Sequence, residues 1–469
     1  MADVVVLGAG PTGLATAMLL AGQGLDTVVL ERDEAPPGDP EEAWERWERS
    51  GVAQFRQAHL VQAGGYDLID EHLPSVVARL EEIGAVAVNL DEKLAALLPG
   101  GAGGVDLSRF RMLPCRRPLL EYAFASAART TPGVDLRYGG AAKELVTGRD
   151  AIHGVPHVVG VRLTTGELVP ARSVVDASGR RSPLGAMLEA AGGRRPRERG
   201  VDIGFSYSTQ FYRAPEIPEI RGDLVAEIGS FTILTIPADN GWWSVTLYHS
   251  AADREMRRTR DRAVFERVVR SLPLHAHWVD GEPEGPVFPM SSATNVTREF
   301  VVDGRPCGTG VVPVGDAWGF TNPSIGRGVT FALMHAVDVA PIVAAHLDDP
   351  TRMAKEWQAV TEAKALPWHD DTVEFDRIRG PEVEAYRCHQ PDPFASGDPD
   401  VARARAFTSA SHYDPQVFEW FAEVHGCIAS PAQVFSRDGA PERVSEVAGS
   451  NPPYRTPGPD RSQLEALLV

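Results

Sequence analysis

The stretch Asp3-Val-Val-Val-Leu7-Gly8-Ala9-Gly10-Pro11-Thr12-Gly13, followed by Thr27-Val-Val-Leu-Glu31, decides how this chain starts to fold. The apolar run at 3–7 reads as a short buried parallel strand, because a strand covered on both faces has no reason to alternate. Residues 11–23 read as a helix, with Pro11 at the first position, where a missing N–H costs nothing. Residues 27–31 read as a second strand, which completes a βαβ start. Each glycine of the turn has a physical task. Gly8 permits the tight turn, Gly10 leaves room for a pyrophosphate, and Gly13 lets helix and strand pack closely. Pro11 opens the helix, and the free N–H groups of Thr12 and Gly13 together with the positive end of the helix favour phosphate. Glu31 ends the second strand, where a carboxylate accepts ribose hydroxyls and repels a 2′-phosphate; Arg32, beside it, is counted with it as cofactor-binding. The expected ligand is a dinucleotide.

A second motif separates FAD from NAD. Residues 311–314 form a buried apolar run that ends in Gly315-Asp316; a loop with Pro323 follows, and Gly326-Arg327-Gly328 opens a long apolar helix over 326–347. An Asp at that place can bond ribityl hydroxyls, and the helix N-terminus can stabilise negative charge on a reduced flavin. A nicotinamide dehydrogenase has no use for this second site so far downstream. The expected cofactor is therefore FAD.

Between and beyond the motifs the texture changes. Residues 33–50 are acidic and proline-rich and carry Trp44 and Trp47; they read as an excursion from the sheet, with the charges at 41–49 as a solvated face. Residues 58–83 and 117–130 read as helices. Strands at 134–138, 143–146, 157–164 and 172–176 suggest a hairpin returning to the main sheet. Alternation in 201–213 and 231–249 reads as an inserted antiparallel sheet, with one amphipathic helix over 253–271. From about 350 the chain reads as helical, closing with an extended 451–457 and a short final helix. The fold class expected is α/β: a Rossmann-like FAD-binding domain, parallel sheet with helices, carrying an inserted antiparallel-sheet substrate domain and a helical C-terminal region. The expected divisions are 1–199 (with a β-hairpin excursion about 134–172), 200–300, 301–347 and 348–469.

Composition narrows the partners. The chain has 469 residues, 43% hydrophobic and 23% charged, with a formal charge of −18. That charge argues against nucleic acid, whose phosphates need clustered Lys and Arg. Four scattered cysteines without a Cys-x-x-Cys pair give no zinc or disulfide framework. His153, His157, His275 and His277 form no metal set, and no metal is expected. No run of 18 uncharged apolar residues is seen, so no transmembrane segment is expected, and a cytoplasmic location follows from the cysteine usage and the absent signal peptide.

The glycine turn, Gly315-Asp316, and Asp176-Ala-Ser-Gly179 after an apolar strand together resemble the FAD-dependent monooxygenases of the aromatic hydroxylase and squalene epoxidase type. Gly51-Val-Ala-Gln-Phe-Arg-Gln-Ala-His-Leu60 and Cys115-Arg-Arg-Pro-Leu-Leu-Glu-Tyr122 are similar to segments of bacterial epoxidases that act on polyene intermediates of polyether antibiotics. The resemblance covers residues 1 to about 345. It implies that Arg56 sits near the FAD phosphates and flavin. It also implies that Arg117, or its neighbour Arg116, lies beside the ribityl-phosphate region, and that Asp176 and Gly179 touch cofactor. Two departures stand out. Trp318 and Gly319 replace the last two residues of the Gly-Asp-Ala-Ala-His often found in aromatic hydroxylases, and the Trp-x-Trp-x-Ile-Pro signature of flavin halogenases is absent.

The function implied is transfer of one oxygen atom from O2 to a C=C bond or aromatic carbon of a bulky apolar small molecule. The electrons would come from NADH or NADPH, directly or through a separate flavin reductase. The cofactor carries such chemistry, so no catalytic side chain is assigned; Arg56 and His59 are the weak candidates, with His335 read as a packed helix residue. Phe205, Tyr207, Phe211, Phe231 and Trp243 are candidate substrate-lining residues. An FAD-dependent dehydrogenase or reductase of isoprenoid type and a non-redox FAD-using cyclase are the alternatives.

Overall fold

The computed structural model describes residues 1–202, 204–291, 294–390 and 397–469. The strand Ala2–Leu7 lies inside a mainly parallel sheet, between Thr27–Leu30 and Leu168–Asp176. Val134–Arg137 pairs in parallel with Thr27–Leu30 and forms the edge. Leu168–Asp176 changes partner along its length. Its first residues run antiparallel to Val158–Leu163, while its last three run parallel to Val311–Pro313. Val4, Val5 and Val6 have no exposed surface, as expected of a strand covered on both faces. The helices Pro11–Gly22, Arg117–Thr130 and Gly328–Ala345 pack together beside it. Fold class is as the patterning predicts: mixed α/β with a parallel-dominant sheet and a helical C-terminal region.

Several local expectations need correction. Val134–Arg137 belongs to the main sheet, not to a hairpin excursion; the hairpin is Ala142–Thr147 with Val158–Leu163. The stretch 58–83 is two helices, Ala63–His72 and Pro74–Glu82. Pro74 disfavours helical geometry at Leu73, which sits at φ −134°, ψ 51°. The stretch 253–271 also splits. Asp261 turns extended and caps Arg262–Arg270 by accepting from the Val264 N–H.

Five antiparallel strands form the second sheet, in the order Val225–Ile228, Phe231–Pro237, Trp242–Ser250, Phe205–Arg213, Glu282–Ser291. A small third sheet, Arg197–Asp202, Thr294–Glu299 and Gly319–Phe320, ties this region to the loop after Gly315. After residue 350 the described chain is mainly helical. Asp349, Asp398, Asp414 and Ser430 each cap a helix whose first residue is proline, so the sequence marks each start with acceptor and breaker together. The extended segment 451–460 leads to Arg461–Leu467, which docks on the second sheet's side through buried Leu464 and Leu468.

No clear membrane-spanning segment is found among the described residues. Gly328–Ala345 is long and apolar enough to cross a bilayer by length and composition, and half of it is buried inside the protein. It carries a buried His335 and packs on Pro11–Gly22.

Candidate active site

A cleft of about 490 Å³ opens at the C-terminal ends of the parallel strands, the edge at which such sheets bind ligands. Gly8, Gly10, Pro11 and Thr12 line it from the first turn, Glu31 and Arg32 from the second strand end, and Asp316, Pro323, Gly326 and Gly328 from the distant motif. Two segments some 300 residues apart therefore share one wall. Gly10 faces open space, where a Cβ would project without meeting protein. Gly8 is different: it holds φ +101°, and a Cβ there would lie 2.6 Å from the Ala177 carbonyl oxygen. Gly13 and Gly315 lie behind the wall. A Cβ on Gly13 would come within 2.0 Å of the Gly8 carbonyl oxygen, and one on Gly315 within 2.8 Å of Thr12 Cγ2.

Glu31 is held from three sides. Its Oε2 accepts from the Ala9 N–H at 2.7 Å and from Arg49 Nη2 at 2.6 Å; its Oε1 accepts from the Asp33 N–H at 3.0 Å. Arg49 also reaches Glu121 at 2.6 Å and Asp33 at 3.1 Å, and Arg117 bonds Glu121 at 2.6 Å. Burial opposes the charge on Arg49, but Glu121, Glu31 and Asp33 more than offset it and raise its pKa. Residues 41–49 are thus not only a solvated face. Sequence reading missed Arg49 because nothing local distinguishes it from its exposed charged neighbours.

Asp316 lines the cleft, and its carboxylate accepts no hydrogen bond from the described residues. Burial pushes its pKa up, against the charges of Arg180, Arg117 and Arg298. Arg298 pins the turn that presents it, donating to the carbonyl oxygens of Asp316 at 3.1 Å, Ala317 at 2.9 Å and Arg180 at 2.9 Å. Arg298, too, escaped the sequence reading; it lies in a strand of a different sheet. His335 accepts from the Gly315 N–H through Nδ1 at 3.1 Å and bonds Thr361 through Nε2. It is a packed support for the turn, with its pKa pushed by burial to about 3.

The structure does not bring every candidate to the cleft. Asp176 lies beneath it, with Ser178 and Ser182 hydroxyls donating to its two oxygens; Ala177, Ser178 and Gly179 line the cleft instead. Arg56 turns away, donating to the Trp47 carbonyl at 3.0 Å and lying over the rings of Trp44 and Phe55 at 4.8 and 4.9 Å. Arg327 pairs with Asp371 and donates to the Val424 carbonyl, so it serves the C-terminal helices. Of the two neighbours, Arg117 lines the cleft. Arg116 is spent on a fully buried pair with Asp239 at 2.6 Å. His59 lines the cleft. Its Nδ1 faces the Gln57 carbonyl at 3.0 Å, and a carbonyl only accepts, so Nδ1 carries the proton and Nε2 the lone pair. Burial and the Arg117 charge push its pKa to about 3.

A second chamber of about 1090 Å³ lies between the antiparallel sheet and the C-terminal helices. It shares Leu60, Gln62, Val225, Ile236 and Ile325 with the cleft. Phe205, Tyr207, Phe211, Phe231 and Trp243 line neither cavity. They are buried core, with the Tyr207 hydroxyl on Asn322 and the Trp243 N–H on the Trp278 carbonyl. Strand parity explains the error at 231–237: Leu234 and Ile236 face the cleft, so Phe231 and Ile233 face the other way.

Comparison with known proteins agrees with this architecture. Protein Rv3254 of Mycobacterium tuberculosis is 28% identical over 358 residues, 71% of each chain. The anhydrotetracycline hydroxylase OxyS of Streptomyces rimosus superposes with a TM-score of 0.59 at 18% identity, over 91% of this chain and 76% of its own. The Diels-Alderase PyrE3 of pyrroindomycin biosynthesis does so with a TM-score of 0.59 at 19% identity, over 91% and 80%. The FAD binding domain family matches residues 1–369. With the glycine turn and the Gly315-Asp316 loop on one cleft, this chain belongs to the FAD binding domain family.

Proposed function

We propose that the protein is an FAD-dependent monooxygenase that transfers one oxygen atom from O2 to a C=C bond or aromatic carbon of a bulky, largely apolar small molecule. One observation carries this reading: the cleft that fits the dinucleotide shares an apolar wall with a larger chamber able to hold a second molecule. The residues present suit FAD. Gly10 and the helix start at Pro11 would take the pyrophosphate, Glu31 Oε1 the adenosine ribose, and Asp316 the ribityl hydroxyls. The N-terminus of Gly328–Ala345 would face the flavin oxygens. Bound FAD, once reduced by NADH or NADPH directly or through a separate reductase, supplies the activation of O2.

The chain's own part is to bind, orient and keep water out. Val225, Leu234, Ile236, Met290 and Ile325 give the flavin end of the cleft an apolar lining. His59 is too weak a base to shuttle protons, since a conjugate acid near 3 holds almost none at neutral pH. The hydroxylase activity named for OxyS agrees with the reading, as does the resemblance to hydroxylases and epoxidases. The Diels-Alderase PyrE3 favours the second reading, a non-redox FAD-using cyclase.

Labelled O2 separates them. Purified FAD-loaded protein is turned over with a panel of polyenes and phenols, with NADH or NADPH and with or without a flavin reductase. One labelled oxygen atom in the product is expected. Reduced product without label while the nicotinamide is consumed would overturn the reading in favour of a reductase, and oxidised product without label or nicotinamide consumption in favour of a dehydrogenase. An isomer of the substrate formed with no nicotinamide consumed would favour the cyclase.

A further inference from the structure

The large chamber is lined by many charged side chains, and most of them have partners: Arg327 has Asp371, Arg379 has Glu382, and Arg461 has Asp253. Asp91 is the exception. It stands in the chamber wall, only 7% exposed, and its Oδ2 is buried with no hydrogen-bond partner among the described residues. The wall around it in sequence and in the adjoining strand is apolar: Leu94, Leu97, Leu98 and Met112 line the same chamber. Asp91 stands in the first turn of the short helix Leu90–Ala95, whose cap bond runs from the Glu92 N–H to Asn89. Burial pushes the pKa of the Asp91 carboxyl up to about 7.

A lone polar group in such a wall is costly, and native chains keep few of them. The cost falls when a ligand supplies the missing partner. We propose that Asp91 is the polar anchor of the chamber, binding a hydroxyl group of an otherwise apolar substrate and so setting its orientation and selection. The inference rests on the reading of this cavity as the substrate chamber. The wall's chemistry chooses the hydroxyl over a cation. An ammonium brings three N–H donors, of which one carboxyl among leucines and a methionine leaves part unsatisfied. A hydroxyl brings one donor and is satisfied by a single carboxyl, either as carboxylate or as the acid. Asp91 touches no part of the flavin cleft, so it acts on binding and not on the reacting atoms.

The test uses FAD-loaded protein and three naphthalene probes of similar shape: 2-naphthol, 2-methylnaphthalene and 2-(aminomethyl)naphthalene. Binding is measured calorimetrically at pH 7 with no electron donor, so that turnover plays no part. The wild type should prefer 2-naphthol to 2-methylnaphthalene by about tenfold, the worth of one well-made hydrogen bond. Asp91→Leu should bring that ratio to about one without weakening 2-methylnaphthalene. Asp91→Asn, which still donates and accepts, should keep most of the preference. Ile378→Trp, which adds bulk to the chamber wall, should weaken all three probes. An undiminished preference in Asp91→Leu, with Ile378→Trp still blocking, overturns the anchor and leaves the chamber standing. Tighter binding of the ammonium than of the naphthol overturns the hydroxyl assignment. Probes that bind Ile378→Trp as well as wild type overturn the chamber reading, and the anchor with it.

Discussion

Arg49 Nη2 lies 2.6 Å from Glu31 Oε2, and the pair is buried directly under the first glycine turn. The carboxylate that the sequence assigns to ribose recognition is therefore oriented by a guanidinium 18 residues further along. Arg49→Met should unload three carboxylates at once. Breaking a buried pair from one side costs ~3–5 kcal/mol, so the variant should lose thermal stability and copurify with less FAD. Arg49→Lys should rescue little, because one ammonium cannot span Glu31, Asp33 and Glu121. A melting curve and the ratio of flavin to protein absorbance check both; wild-type values for Arg49→Met would overturn the assignment.

The two glycines of the turn should fail in different ways. Gly10 faces open cleft, so Gly10→Ala should fold with a nearly unchanged melting temperature yet bind FAD at least ~10-fold more weakly, a loss of about 1.4 kcal/mol. Gly13→Ala places a Cβ against the Gly8 carbonyl and should not yield stable protein. Equal losses of fold in both variants would show that Gly10 is structural and not a cofactor contact.

Asp316 and Asp176 offer a similar contrast. The Asp316 carboxylate accepts nothing from the described protein, so Asp316→Ala should leave FAD-free protein as stable as wild type, or more so, while weakening FAD. Asp176 holds Ser178 and Ser182. Asp176→Ala leaves those hydroxyls without their acceptor, at a cost of ~1–3 kcal/mol. Denaturant unfolding of the two apo-variants, paired with FAD titration, separates the roles. A large stability loss in Asp316→Ala would refute its assignment.

Asp91 should leave a mark on stability against pH. Its pKa is raised from 3.8 to about 7 in the folded chain, so the folded state keeps a proton that the unfolded state has released. Between those values folding binds protons, and this group makes the protein less stable as pH rises from about 4 to 7. The full effect is at most ~4 kcal/mol. Asp91→Leu removes it. The variant should therefore gain stability over wild type, with a gap that widens across that window and is flat above it. A gap independent of pH would refute the titration.

How far the sequence carries can be read from particular residues. The βαβ start and the Gly315-Asp316 loop were legible because each rests on local chemistry, backbone freedom and a fixed φ; from about 350 only a helical region was read, although Asp349-Pro350, Asp398-Pro399 and Asp414-Pro415 mark their helix starts just as locally, with an acceptor beside free N–H groups. The split at Leu73-Pro74 was local as well, and the rule that a residue before proline avoids helix would have found it.

The sequence by itself determined that a dinucleotide turn opens this chain and that a second flavin-type loop follows far downstream. It could do so because strand, turn and helix start are neighbours in the chain. Tertiary structure alone decided that Arg49 supports Glu31, that Arg117 and not Arg116 faces the cleft, and that Arg56 and Arg327 turn elsewhere. It alone placed the sheet's large aromatics in the core and left Asp91 alone in a chamber wall. The physical reason is common to all of these. Whether a charge is paired, solvated or stranded depends on partners brought together from distant parts of the chain, and a buried charge takes its meaning from those partners.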